Sequence, residues 1–268
     1  MATKIIAIDA GHGMKTSGKR CLKSIDPNQT REWWLNDRIA DRLEVLLASY
    51  DCKIVRVDDT TGAKDISLSA RVKTANNANA DMYISIHHNA GVGGGNGGGT
   101  VVFYYASEKM KAMATRLYYA IVARTNLIGN RYEKVGKKGF YVIKNTKMPA
   151  FLIENGFMDS RVDTPVILTA GHAEKTAQGI FAFVVEELGL TKKKAATKPT
   201  TTQNGTYYPA YTGKRTTLSA ALTTLGINST FAFRKKIAKA NHITGYVGTA
   251  GQNTQMYNLL VAGLLKKA

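Results

Sequence analysis

The first apolar run of the chain, Lys4–Ala10 (KIIAIDA), ends in a glycine turn and predicts a buried strand. From Glu32 to Ser49 the pattern changes. Leu35, Ile39, Leu43, Leu46 and Leu47 recur at the spacing of an amphipathic helix. Lys53–Val57 and Met82–Ile86 predict strands, Ser67–Ala78 a helix capped by Ser67 or Ser69, and Thr100–Tyr105 another strand. Ser107–Thr125 sets Met110, Met113, Ala114, Leu117 and Ile121 along one side of a helix. Phe140–Ile143 and Ala150–Ile153 predict two further strands, and Thr169–Leu188 a long helix that stops before Gly189. Strands alternating with helices over residues 1–190 imply an α/β domain, a mostly parallel twisted sheet flanked by helices.

The pattern lapses over residues 191–206 (TKKKAATKPTTTQNGT), which are rich in Lys and Thr, contain Pro199 and predict a flexible linker. Periodicity returns in residues 207–268. Leu218, Leu222 and Leu225 share a helical face, and Phe231–Ala240 and Thr254–Leu265 predict two more helices. Together they make a small all-α bundle, feasible at this size.

Charge sharpens the division. The 268 residues carry a formal +18, yet from Thr191 onward there are 12 Lys or Arg and no Asp or Glu. The residues before it hold 25 Lys and Arg against 19 Asp and Glu. The tail therefore predicts a polyanionic partner: nucleic acid, an anionic membrane surface or an acidic wall polymer. No apolar run approaches the roughly 20 residues that span a bilayer. The start, MATKIIAIDAGHG, lacks the apolar core of a signal peptide, so synthesis in the (host) cytoplasm is expected, with a substrate outside reached only after release. Cys21 and Cys52 are too few for a disulfide scaffold and are read as free thiols.

In a sheet of this class the site lies at the carboxyl ends of the strands. His12 follows the first strand in DAGHG, His87 the third in SIHHNA, and Glu154 ends the last in FLIENGF. Glu32 opens the first helix, whose N-terminus faces the same edge. Two imidazoles and a carboxylate suit Zn²⁺, and a second, unligated carboxylate can take a proton from water. Each residue also has a plain structural reading: a histidine satisfied within the fold, a helix-start carboxylate facing the macrodipole, a rim glutamate. No HExxH helix decides the matter.

Four ordered segments add to this: IIAIDAGHG (5–13), Glu32 seven residues before Ile39-Ala40, ISLSARVKTANNANADMYISIHHNA (66–90) and KMPAFLIENGF (147–157). In them, residues from about Lys4 to Leu188 resemble the zinc N-acetylmuramoyl-L-alanine amidases of the Amidase_3 type, found in bacterial autolysins and phage endolysins. The resemblance implies His12, Glu32 and His87 as zinc ligands and Glu154 as the catalytic glutamate. It implies a peptidoglycan substrate, cut at the amide between the muramic acid lactyl group and L-alanine. The chain departs from the family where His88 follows His87. The S-I-H register favours His87 as ligand, and strand alternation points the two rings to opposite sides.

Other residues have weaker claims. Asn89 is a candidate substrate contact. Asp9 either supports the metal shell by a hydrogen bond or only shapes its turn. Trp33 and Trp34 either stack on sugar rings or pack. Gly91–Gly99 (GVGGGNGGG) lacks phosphate-loop spacing and is read as a mobile loop beside the site. His172 and His242 are read as structural or solvent-facing. Residues 234–267 are similar to short C-terminal modules of phage lysins from Gram-positive hosts, which implies wall binding, with anionic wall polymers as possible ligands. No helix-turn-helix or zinc-finger pattern favours nucleic acid, so none is expected as partner. The expectation is a peptidoglycan amidase at 1–190, a linker, and a cell-wall-binding domain at 207–268, together a phage endolysin for host lysis. Two alternatives stand beside it: a zinc peptidase of the stem peptide, and a basic nucleic-acid-binding protein with structural histidines.

Overall fold

The computed structural model describes residues 3–129, 134–193, 207–213 and 217–268. The chain forms two compact units, Met1–Lys193 and Lys194–Ala268.

In the first unit the elements follow as β1 (Lys4–Ala10), α1 (Glu32–Leu47), β2 (Cys52–Arg56), α2 (Leu68–Asn77), β3 (Met82–Asn89) and β4 (Thr100–Tyr104). Then come α3 (Glu108–Thr125), β5 (Val135–Lys137), α4 (Tyr141–Lys144), β6 (Ala150–Phe157), α5 (Asp163–Ile167) and α6 (Ala170–Leu188). The six strands form one sheet in the order β2-β1-β3-β6-β4-β5. β2, β1, β3 and β6 are parallel, whereas β4 runs antiparallel to β6. β3 reaches β4 through a glycine-rich loop instead of a crossover helix, which is how a chain reverses direction in a sheet.

Both sheet faces are covered, which explains why the strands are apolar throughout. On one face Ile6, Ile8, Ile84, Ile86, Phe151 and Ile153 meet Ile39 and Leu43 of α1, Leu117 of α3 and Phe183 of α6. On the other, Ala7, Tyr83 and Leu152 meet Val72 of α2 and Val142 of α4. Burying each Leu, Ile or Phe side chain contributes about 1.5–3 kcal/mol. Ser67 caps α2, its side chain accepting from Ala70 N–H; Thr169 caps α6; Gly189 ends α6 in the left-handed region.

The mixed α/β sheet flanked by helices is as expected, with three local corrections. Phe140–Ile143 is not a strand: from Tyr141 the segment is the short helix α4, with Val142 and Ile143 buried and Phe140 and Tyr141 exposed. β5 and α5 went unseen, being three and five residues long. Gly91–Gly99 is tied down, not free. The Asp159 carboxylate accepts the N–H groups of Gly91, Val92 and Gly93, each at 2.8 Å, and Asp163 accepts that of Gly99. Gly99, at φ +101°, passes so close to Gly129 that a Cβ would lie 2.2 Å from its Cα.

Of the segment 191–206, Thr191–Lys193 pack onto the first unit. Asp51 N–H donates to Thr191 C=O at 2.8 Å, and Lys193 N–H to Ser49 C=O at 2.9 Å. The remainder lies outside the described residues.

The second unit holds α7 (Leu218–Thr224), α8 (Phe231–Ala240) and α9 (Ala250–Val261). Its core joins Leu218, Leu222, Ile237, Tyr246, Met256 and Leu260. α9 starts four residues before the expected Thr254, because Thr249 and Gln252 form a capping box. It ends at Val261, and Gly263 follows at φ +70°.

Candidate metal centre and active site

β1 ends at Ala10, and the chain turns through Gly11 into His12, held at φ +69°. Gly11 is required here: a Cβ on it would lie 2.0 Å from His87 Cε1. The His87 ring, carried by the neighbouring strand β3, lies against this bare backbone. Glu32 is the first residue of α1, and its N–H donates to Lys19 C=O at 3.1 Å. Its side chain, only 1% exposed, turns back between the two rings. Glu32 Oε1 is 3.3 Å from His12 Nε2 and 3.1 Å from His87 Nδ1. The two imidazoles stand edge to face with centroids 4.9 Å apart.

One ligand atom from each of His12, Glu32 and His87 lies within 4.8 Å of the others. Zinc ligands at about 2.0–2.1 Å in a tetrahedron are separated by roughly 3.3 Å, close to the two Glu32 distances. Glu32 Oε2 is buried without a hydrogen-bond partner, its nearest cation being Lys19 Nζ at 3.7 Å. A buried carboxylate with one oxygen against two imidazoles and the other left without a partner is what a site built for a cation presents. These residues fit a zinc ion.

β6 lies beside β3 with Glu154 in register with His87. Glu154 Oε2 is buried and has no hydrogen-bond partner. Burial pushes its carboxyl up to about 7, over the attraction of His87 and with the repulsion of Glu32. Burial acts on Glu32 in the same sense, but hydrogen bonds with His12 and His87 outweigh it and hold that carboxyl well below the usual range. Two neighbouring carboxyls are thus set apart, one firmly ionised and one poised to exchange a proton.

His88 points the other way. It is 2% exposed, with Nδ1 2.8 Å from Asn36 Oδ1 and its ring 6.2 Å from that of His172. Burial, then the charge of His172, keeps it neutral. His172 is itself buried, its Nε2 3.3 Å from Thr176 Oγ1. Asn89 lies beyond a bulge in β3, and its Oδ1 accepts Ala90 N–H at 2.9 Å; it is not among the described residues lining the cleft. Asp9 makes no hydrogen bond to either candidate histidine ligand. Its carboxylate takes Arg71, Tyr83 OH at 2.9 Å and Ser85 Oγ at 2.7 Å. Trp33 is packed in the core, and Trp34 lies under the Arg38 guanidinium at 4.4 Å.

Sequence reasoning missed Arg71. This buried guanidinium donates to the carbonyls of Ala10, His12 and Ile66 at 2.9, 2.9 and 2.8 Å, and so holds the left-handed turn that presents His12. The available signal was an arginine on the inner face of α2 among apolar positions. The cleft above the site measures about 680 Å³. Polar His12, Lys19, His87 and Glu154 line part of it, and Leu68, Phe140 and Tyr141 an apolar part.

The Amidase_3 family, described as N-acetylmuramoyl-L-alanine amidase, matches residues 6–186. The chain belongs to that family. It is a peptidoglycan amidase. Among its relatives, the N-acetylmuramoyl-L-alanine amidase CwlM of Bacillus licheniformis is 32% identical over 193 residues, 71% of each chain. The endolysin of Bacillus phage SPP1 is 28% identical over 199 residues, 74% of this amidase and 70% of the phage protein. The catalytic domain of CwlV, an N-acetylmuramoyl-L-alanine amidase from Bacillus (Paenibacillus) polymyxa var. colistinus, superposes with a TM-score of 0.63 at 28% identity. It covers 70% of this amidase and 100% of that domain. An N-acetylmuramoyl-L-alanine amidase from Clostridium difficile 630 gives a TM-score of 0.63 at 29% identity, with 70% and 98% covered. The family match ends before the second unit.

Proposed function

We propose that the amidase is zinc-dependent, with His12, Glu32 and His87 as ligands and Glu154 as the group that moves the proton. It cuts the amide between N-acetylmuramic acid and L-alanine. The observation that carries this reading is the convergence of the three ligand atoms within 4.8 Å, with Glu154 next to His87 in register. A bound zinc ion supplies Lewis acidity toward the amide carbonyl and toward water.

The chain's own residues do the rest. Arg71 and Gly11 fix the turn and the ring packing that aim His12 and His87. Glu154 accepts the proton of the attacking water and returns it to the departing amine nitrogen. A cation held by His12, Glu32 and His87 would offset the burial that raises the Glu154 carboxyl and would favour its ionised form. In the family's substrate, the lactyl carbonyl takes the attack and L-alanine leaves as a free amine.

The likeness to a phage endolysin and the basic second unit support a role in host lysis. In this reading the protein is made in the host cytoplasm and acts on the wall after release. Residues 207–268 serve as a wall-binding module that raises local substrate concentration.

Glu154→Ala beside wild type tests the mechanism. The variant is expected to keep about one zinc per chain, as wild type does, and to lose lysis by about 10²–10⁴-fold. Wild type is expected to free only L-alanine amino termini and to lose lysis in EDTA, regained with zinc. Loss of metal from the variant makes Glu154 a ligand. Release of amines within the stem peptide makes the enzyme a peptidase. A metal-free wild type that frees no amine ends the zinc reading.

A further inference from the structure

The second unit carries a cleft that catalysis does not use. It measures about 510 Å³ and lies where α8 runs into the loop before α9. Lys235 and Lys239, one helical turn apart on α8, stand on its edge with His242, and all three are exposed. Ile243 and Tyr246, both buried, supply an apolar wall, and Val247, 70% exposed, completes it.

Tyr246 is fixed from three sides. Its ring stacks on Phe231 at 5.6 Å, its OH accepts from Arg234 Nε at 3.0 Å, and it donates to Asn253 Oδ1 at 2.6 Å. The wall of the cleft is therefore preformed and gives up little conformational freedom on binding.

The lysines have no counter-charge at hand. Residues 207–268 contain no Asp or Glu, and among the described residues the unit forms no ion pair. Unpaired cations flanking an apolar floor suit a chain in which negative groups alternate with carbon-rich units, since the lysine heads take the charges and the floor takes the spacer. An isolated inorganic anion leaves the floor unused. A single-stranded nucleic acid calls for open aromatic faces on which bases stack, and Tyr246 is buried and already stacked on Phe231; a duplex, with its charges on a stiff backbone, leaves the apolar floor unused.

We propose that this cleft is the ligand site of the second unit and that it binds a wall polymer of polyol or sugar units joined by phosphodiesters. Lys235 and Lys239 engage successive phosphates, and Ile243 and Val247 pack the unit between them. The proposal rests on the reading of residues 207–268 as a wall-binding module and adds its site and the chemistry of its ligand.

Binding of the full-length Glu154→Ala protein measures this without digestion of the wall. The probes are purified Gram-positive walls, the same walls stripped of phosphodiester polymers with hydrofluoric acid, and soluble poly(glycerol phosphate). Lys235→Ala with Lys239→Ala is expected to weaken binding to intact walls at least tenfold and to flatten its salt dependence. Lys266→Ala with Lys267→Ala removes equal charge elsewhere in the unit and is expected to change binding less than twofold. Stripped walls are expected to bind weakly, and poly(glycerol phosphate) to compete where duplex DNA of equal charge does not.

Equal losses from the two double variants overturn the cleft in favour of diffuse charge. Undiminished binding to stripped walls, or competition by DNA equal to that of the polymer, overturns the phosphodiester ligand while the wall-binding module stands. If deletion of residues 207–268 leaves wall binding unchanged, the underlying reading fails. Lys235, Lys239 and Lys267 are exposed and Lys266 is half-buried, and hydrolysis of a soluble muropeptide by the same variants with Glu154 restored, expected at the wild-type rate, verifies that the first unit is intact.

Discussion

The two units use charge in opposite ways. In the first, charged groups are drawn inside and paired: Arg71 with Asp9 at 1% and 2% side-chain exposure, Arg56 with Asp37 and Asp58, and Glu32 between two histidines. In the second, Lys235, Lys239 and His242 are exposed, and the core is made of Leu, Ile, Met and Tyr. Catalysis needs groups held to a fraction of an ångström, which burial and hydrogen bonding provide at a desolvation cost. Cations at the edge of an open cleft stay in solvent, at little cost to folding. The same residue types therefore carry different risk when altered in the two places.

The sharpest way to break this contrast is at Gly11. Gly11→Ala places a methyl group inside the His87 ring position, so the ring must move. Metal content and wall lysis are both expected to fall by at least tenfold, measured by elemental analysis and turbidity, while binding to walls persists. Retention of metal and rate places the site elsewhere.

Arg71→Met comes next. It leaves Asp9 buried without its cation and releases the carbonyls of Ala10 and His12. Breaking a buried pair from one side costs about 3–5 kcal/mol, read as a lower denaturant midpoint. A cost under about 1 kcal/mol shows that Arg71 behaves as a surface charge.

Leu222→Ala probes the other unit, where packing is expected to matter and charge pairing not. Leu222 is fully buried, and its truncation costs about 2–5 kcal/mol. Amide exchange in full-length protein is expected to accelerate in α7–α9 alone, with wall affinity reduced and hydrolysis of a soluble muropeptide unchanged.

The smallest effect concerns pH. Burial, then repulsion from Asp41, raises the Asp37 carboxyl to about 7 against the attraction of Arg56. The folded chain therefore holds a proton there at a pH where the unfolded chain, near 3.8, has lost it. Ionised Asp37 therefore costs stability at high pH; stability rises as pH falls from about 8 to about 4 and is flat in this group below both values. Asp37→Asn is expected to flatten that slope in denaturant titrations at several pH values. An unchanged slope shows that Asp37 stays ionised beside Arg56.

Much of this was legible beforehand because the strands are buried on both faces and the helices on one. A strand reads as a continuous apolar run and a helix as a stripe, and the polar residue that interrupts a run at its carboxyl end stands out. His12, His87 and Glu154 were visible in that way. α4 was misread because four apolar residues, Phe140 to Ile143, fit a strand or one helical turn equally well, and burial of only Val142 and Ile143 decided for the turn. Asp159 was invisible as the anchor of the glycine loop because its partners lie 66 to 68 residues away.

The sequence by itself determined the α/β class of the first unit and the segregation of positive charge into the tail, and it marked the polar residues at strand ends whose roles the family resemblance then implied. These are local properties, fixed by neighbours one to four positions apart and by composition. Only the tertiary structure decided that Glu32 reaches both imidazoles, that His88 turns away to Asn36, that Arg71 instead of a candidate ligand histidine answers Asp9, and that β4 reverses beside β6. Apart from Glu32 with His12, which are 20 positions apart, each depends on strand register or helix placement linking residues about 50 or more positions apart. Register is set by the summed packing of two sheet faces, which no short stretch of the chain contains.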